Sequence, residues 1–224
     1  MSGLGHVHAG VLVPWANAVV EAELHRITGI SVAWHYARLV PSSHSTGLDE
    51  RFLTGLLEAV PAALVQLSAL RLQRTYLACT SAAFMYPELA RSARQDADGT
   101  LVSAFDAIIA ALSGLAARRI VLLTPYPEEV TRAEALLFTR CGVTVTATAS
   151  LDLDDGYDRV TPEQVKELIH MIRSTAVEAA DAVVLSCTGW PTFDLIPDIR
   201  RNLGKPVISS NLAIGRHALE AKET

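Results

Sequence analysis

The chain has 224 residues, half of them hydrophobic and 19% charged, with a formal net charge of -5. That length holds one large domain or two small ones with buried cores, and an acidic balance with scattered Lys and Arg excludes a phosphate-tracking nucleic-acid surface. No segment approaches the roughly 18 uninterrupted apolar residues of a membrane helix, and no signal-peptide pattern is read at the start; three cysteines without a CxxC pair suggest free thiols in a reducing compartment, so a cytoplasmic protein is expected.

Strand-like runs are predicted at 9–13, 31–38, 75–78, 119–123, 143–149, 182–185 and 206–209. Several, such as Ile120-Val121-Leu122-Leu123 and Val183-Val184-Leu185, are near-continuously apolar, as suits strands buried on both faces of a parallel sheet. Helical stretches are predicted between them at 18–26, 49–70, 101–117, 127–141, 162–179 and 192–203. Thr161-Pro162 reads as a helix start, and Gly204-Lys205-Pro206 as a stop before a new strand. The alternation predicts an α/β fold.

The sequence also echoes itself. Val11-Leu12-Val13-Pro14-Trp15 is similar to Val121-Leu122-Leu123-Thr124-Pro125-Tyr126, and Leu77-Ala78-Cys79-Thr80-Ser81 to Leu185-Ser186-Cys187-Thr188-Gly189. Pro14 lies 65 residues before Cys79 and Pro125 lies 62 before Cys187. Two similar Rossmann-like halves, doubly wound around mainly parallel sheets and related by a pseudo-twofold axis, are therefore expected. The first would comprise 1–97 with 206–224, the second 98–205, joined by a linker near 95–100, with the active site between them.

Ligands in open α/β sheets bind beyond the carboxyl ends of the strands, where Cys79 and Cys187 both fall. A lone cysteine at a strand end is usually core; a matched pair in a repeated frame is better explained by function. Two thiols facing a shared cleft could act on both faces of one carbon. Cys79-Thr80-Ser81 and Cys187-Thr188-Gly189 each offer hydroxyls and backbone N–H groups to a carboxylate, and a helix N-terminus after each cysteine would favour thiolate. Cys141 lacks a matched partner and reads as structural. His6-Val7-His8 could present two imidazoles on one strand face, but no carboxylate pair accompanies them, so no metal site is assigned. Residues 42–46 read as a polar loop able to line the cleft.

Val11 to Glu21, Ala78-Cys79-Thr80-Ser81, Thr124-Pro125-Tyr126, Leu185-Ser186-Cys187-Thr188 and Lys205-Pro206-Val207-Ile208-Ser209-Ser210-Asn211 together resemble the maleate cis-trans isomerases, a branch of the aspartate/glutamate racemase superfamily. The resemblance implies two Rossmann-like halves around a small carboxylic acid substrate, and a two-cysteine isomerase or racemase with neither metal nor organic cofactor. Cys79 would be nucleophile or base and Cys187 its acid/base partner. Asn17 and Tyr126 would bind a carboxylate or carbonyl, helped by Thr80, Ser81 and Thr188, with Pro14 and Gly189 also among the substrate-binding residues. Asn17 also suits a helix N-cap, and Asn211 reads as a loop-former.

The chain departs from that pattern at Trp15-Ala16, at Gly189-Trp190 and at Asp154-Asp155-Gly156. Fewer polar groups and two indoles suggest a less polar or bulkier substrate than maleate. Ile196-Pro197-Asp198 and Pro206 to Ser210 also resemble arylmalonate decarboxylase, which implies a decarboxylase using Cys187 as an alternative, although retention of Cys79 speaks against it. A binding protein on the same scaffold, its cleft filled by Trp15 and Trp190, is a further alternative. The apolar helices leave room for a homodimer.

Overall fold

The computed structural model describes residues 6–42, 47–96 and 101–220. In chain order the elements are β1 (Val7–Pro14), α1 (Val19–Thr28), β2 (Val32–Leu39), α2 (Glu50–Glu58), α3 (Val60–Leu67), β3 (Arg74–Leu77), α4 (Thr80–Met85), α5 (Pro87–Asp96), β4 (Leu101–Ser103) and α6 (Ala104–Gly114). They continue with β5 (Arg119–Thr124), α7 (Glu128–Arg140), β6 (Thr144–Ser150), α8 (Pro162–His170), α9 (Ser174–Ala179), β7 (Ala182–Leu185), α10 (Ile196–Leu203), β8 (Val207–Ser209) and α11 (Ser210–Glu220). The strands form two four-stranded sheets, ordered β2-β1-β3-β4 and β6-β5-β7-β8. Every pairing is parallel. The second sheet repeats the topology of the first, giving the two Rossmann-like halves of an α/β fold.

Side chains alternate across the strands, and this explains how the core is divided. Val7, Ala9, Val11 and Val13 of β1 join Ile120 and Leu122 of β5 in one cluster with α1, α6 and α11. Leu12 and Leu77 face the opposite way, against α2 and α3. Val121, Leu123, Val183 and Leu185 likewise pack against α8 and α10. The two halves thus share a central core, and each has an outer core of its own.

Sheet membership divides the chain differently from the sequence boundaries. β4 pairs with β3, placing 101–103 in the first sheet, and β8 pairs with β7, placing 207–209 in the second. Only α11 returns towards the first half, packing on α1 and α6. Residues 95 and 96 end α5; the remaining linker residues, 97–100, lie outside the described residues, as do 43–46 of the polar loop.

Local signals explain the helix ends. Thr161 and Gln164 form a capping box at α8, with Pro162 in its first turn, and Gly204 ends α10 at φ 62, where a side chain would be strained. The expected long helix over 49–70 is two helices, α2 and α3, meeting at Ala59 with Pro61 in the first turn of α3. Proline lacks the N–H that an uninterrupted helix needs there. No helix among the described residues is long and apolar enough to cross a membrane.

Candidate active site

The carboxyl ends of β1, β3, β5 and β7 converge on one cavity of about 260 Å³. All nine residues singled out in the sequence line it: Pro14, Asn17, Cys79, Thr80, Ser81, Tyr126, Cys187, Thr188 and Gly189. The matched loops therefore meet in space.

The two thiols have different surroundings. Cys79 occupies the N-cap position of α4 without a capping hydrogen bond from its side chain; its sulfur lies 3.5 Å from Ser81 Oγ and near the backbone N–H groups of Ser81 and Ala82. No helix follows Cys187 directly, contrary to the symmetric expectation. Its sulfur accepts the Gly189 N–H at 3.2 Å and the Tyr126 hydroxyl. Burial pushes the Cys187 thiol up to about 12, opposed by the Tyr126 and Gly189 donors and reinforced by negative charge on Cys79 or Glu134. Burial also raises Cys79, against the pull of Ser81 and Ala82. The sequence leads one to expect ready thiolates at both positions; instead desolvation outweighs the N–H donors and pushes both sulfurs towards the protonated form.

Hydrogen bonds between the halves fix the loops. Asn17 does two jobs: its Oδ1 accepts the N–H groups of Val19 and Val20 at the start of α1, while its amide donates to Thr188 Oγ1 at 3.1 Å. The Thr188 hydroxyl passes its own proton to the Ala78 carbonyl at 2.8 Å, one residue before Cys79. Ser210, at the start of α11, accepts the Cys187 N–H and shares a hydrogen bond with the Thr80 hydroxyl.

Two buried acids behind these loops were missed in the sequence, where a Glu within an amphipathic helix looks like a solvated charge. Glu23 of α1 accepts the N–H groups of Thr192 and Phe193 and the amide of Asn211. Asn211 also donates to the Thr188 carbonyl, so this residue is a buried brace in α11 rather than a loop-former. Burial raises the Glu23 pKa, opposed by these donors. Glu134 of α7 accepts from Ser186, next to Cys187, and desolvation lifts its carboxyl to about 8.

The outer wall was also missed. Ala16, Leu48 and Phe52 line it from the first half, and the turn Asp155-Gly156-Tyr157-Asp158-Arg159 from the second. Leu48 N–H donates to the Asp154 carbonyl, closing the two walls together. The Tyr157 ring meets Tyr126 edge-on at 5.6 Å between centroids. The indoles do not line the cavity. Trp190 is fully buried in the second outer core, and Trp15 packs against the first. His8 and His35 stack with Nδ1 and Nε2 3.0 Å apart, but no group of three His, Cys, Asp or Glu able to hold a metal occurs among the described residues.

A family model described as arylmalonate decarboxylase matches residues 55–222. The chain belongs to the arylmalonate decarboxylase family. It is 26% identical to a maleate isomerase of Geobacillus stearothermophilus, over 92% of this chain and 87% of that protein. It is 33% identical to the arylmalonate decarboxylase of Bordetella bronchiseptica over 48% of this chain and 45% of that protein. Among solved structures, a maleate cis-trans isomerase mutant of Nocardia farcinica with a covalently bound succinylcysteine intermediate superposes with a TM-score of 0.86 at 19% identity, covering 98% of this chain and 94% of that one. A crystal structure of arylmalonate decarboxylase gives 0.75 at 22% identity, covering 96% and 92%. Members of this family thus share the fold with the maleate isomerases, as the resemblance in sequence implied.

Proposed function

We propose that the protein is an isomerase that acts on a small unsaturated or α-acidic carboxylic acid through Cys79 and Cys187, with maleate the first candidate substrate. The observation that carries this reading is the pairing of two unlike thiols on one cavity, beside the amide of Asn17 and the hydroxyls of Ser81 and Thr188. The maleate isomerase from Geobacillus stearothermophilus, matched over most of both chains, supports the same reaction class.

The different donor sets suggest different roles. Cys79, with the Ser81 hydroxyl and two N–H groups beside its sulfur, is the better placed to become thiolate once a substrate is bound. Its proton given up to water, its sulfur would add to one vinyl carbon of a cis-diacid as the π electrons move to the other carbon and into its carboxylate. Rotation about the new single bond, then expulsion of the thiolate, restores the double bond in the trans form. Cys187, which burial disfavours as an anion, would hold the proton that steadies the intermediate. Tyr126, its hydroxyl held well above its usual pKa by burial, serves as a neutral donor. These steps need no redox partner and balance without an added group. Three free thiols suit the reducing cytoplasm.

A decarboxylase is the second reading, favoured by the apolar wall of Leu48 and Phe52, which suits a bulkier substituent; it needs Cys187 alone as proton donor. Proton NMR in deuterated water with maleate and substituted malonates separates the two. Vinyl isomerisation abolished in both Cys79→Ser and Cys187→Ser supports the two-thiol isomerase. Loss of a carboxylate that survives Cys79→Ser supports the decarboxylase, and isomerisation surviving either substitution overturns the proposed mechanism.

A further inference from the structure

Among the described residues lining the cavity, Arg159 is the one cationic side chain. The loops beside the cysteines provide neutral donors: the second N–H of the Asn17 amide and the Ser81 hydroxyl. Such a cradle suits one carboxylate. A second carboxylate on the same small molecule needs a further donor, and Arg159 is on the lining to supply one.

The turn bearing Arg159 is built rather than loose. Arg159 N–H donates to the Gly156 carbonyl at 3.0 Å, and Gly156 has φ 69, a left-handed conformation that glycine adopts without strain. The guanidinium folds back over this glycine so closely that a Cβ there would lie 2.4 Å from Nη2. Tyr157 anchors the same turn inside the site, its hydroxyl shared between the Leu153 and Asp154 carbonyls. The head group is held at the rim by its backbone and not by a strong partner. Its ion pair with Asp155 is long, 3.7 Å, and both side chains are exposed, at 76% and 59%. Such a pair contributes little, so exchanging Asp155 for a ligand carboxylate costs little. Asp155 and Asp158 share the rim and repel any approaching anion, so a direct contact with Arg159 is what offsets that repulsion for a second carboxylate.

We propose that Arg159 binds the second carboxylate of the substrate and thereby selects a dicarboxylic acid, exchanging its long pair with Asp155 for the ligand. This rests on the reading of the cavity as a carboxylic-acid site, and it assigns the rim turn a role in specificity.

The test is a binding cycle by calorimetry in the Cys79→Ser background, which removes the proposed nucleophile. The probes are maleate and (Z)-but-2-enoate, the same cis skeleton with a methyl in place of one carboxylate. Maleate is expected to bind at least about tenfold tighter, as one charge-assisted contact gives. Arg159→Gln should erase that preference by weakening maleate alone, and Arg159→Lys should restore part of it. Asp155→Asn should tighten maleate. A preference that persists in Arg159→Gln overturns the assignment, as does an equal weakening of both probes. If wild-type protein neither turns over nor binds maleate, the isomerase reading fails, and the dicarboxylate selection with it. Turnover of maleate with Arg159→Gln unchanged defeats the selection alone.

Discussion

The amide of Asn17 and the hydroxyl of Thr188, 171 residues apart in the chain, meet at 3.1 Å, and through the Ala78 carbonyl they bind the two cysteine loops into one frame. Because the other end of Asn17 caps α1, stability and activity can be separated. Asn17→Asp keeps the capping oxygen and loses the donor; its melting temperature should stay near that of the wild type while kcat/KM falls about a hundredfold or more. Asn17→Ala should lose the cap as well, about 1 kcal/mol. Thermal melts beside steady-state kinetics check both, and near-normal turnover in Asn17→Asp would remove this residue from the site.

The three thiols should react in a fixed order. Cys141 is exposed, whereas Cys79 and Cys187 are buried and raised by burial, Cys187 to about 12. Limited alkylation by iodoacetamide at neutral pH should therefore label Cys141 alone, read by mass spectrometry of peptides. Without substrate, the thiolate fraction of the other two rises with alkali. A ligand in the cavity should shield them further.

Glu134 should make stability depend on pH. Its folded pKa of about 8 stands above the ordinary value of 4.5, so the folded state binds the proton more tightly than the unfolded chain. The stabilisation is complete below about 4.5, is lost as pH rises and is gone above about 8. Glu134→Gln has no such proton to lose. Urea titrations should show its stability relative to wild type rising from pH 4.5 to pH 8 by roughly 4 kcal/mol. A flat difference would mean that Glu134 is not held neutral.

Glu23→Ala should leave the N–H groups of Thr192 and Phe193 and the amide of Asn211 without their acceptor. Buried donors without partners cost about 1–3 kcal/mol each, so the urea midpoint should fall markedly. Glu23→Gln retains an acceptor for the two backbone donors but turns an NH₂ towards the Asn211 amide, and should fall less. Equal losses in the two variants would point to packing volume alone.

The sequence made the frame legible because buried parallel strands are written as local apolar runs; 182–185 appears as β7 with the expected bounds. β4 was not legible. It has three residues and runs straight into the capping box of Ser103 and Asp106, so its residues look like the start of α6. The first turns of α4 follow Cys79 directly, with no apolar periodicity long enough to reveal them. The repeated Cys-Thr loops announced the inner site because both copies keep the pattern. Leu48, Phe52 and Arg159 reach the cavity only through tertiary folding, and nothing in their local sequence marks them. Trp15 and Trp190 were misplaced for the converse reason: their position beside functional residues is local, but which way an indole turns is decided by packing.

The central core, drawn from both sheets and from α1, α6 and α11, has a consequence for how the molecule comes apart. Neither repeat owns enough of that core to survive by itself, so heating should give one calorimetric transition whose van't Hoff and measured enthalpies agree. Expressed separately, either repeat would expose half of a greasy seam and aggregate. A duplicated ancestor with this layout would have had to function as a paired assembly before fusion, its reaction chamber existing only while two copies stayed in contact.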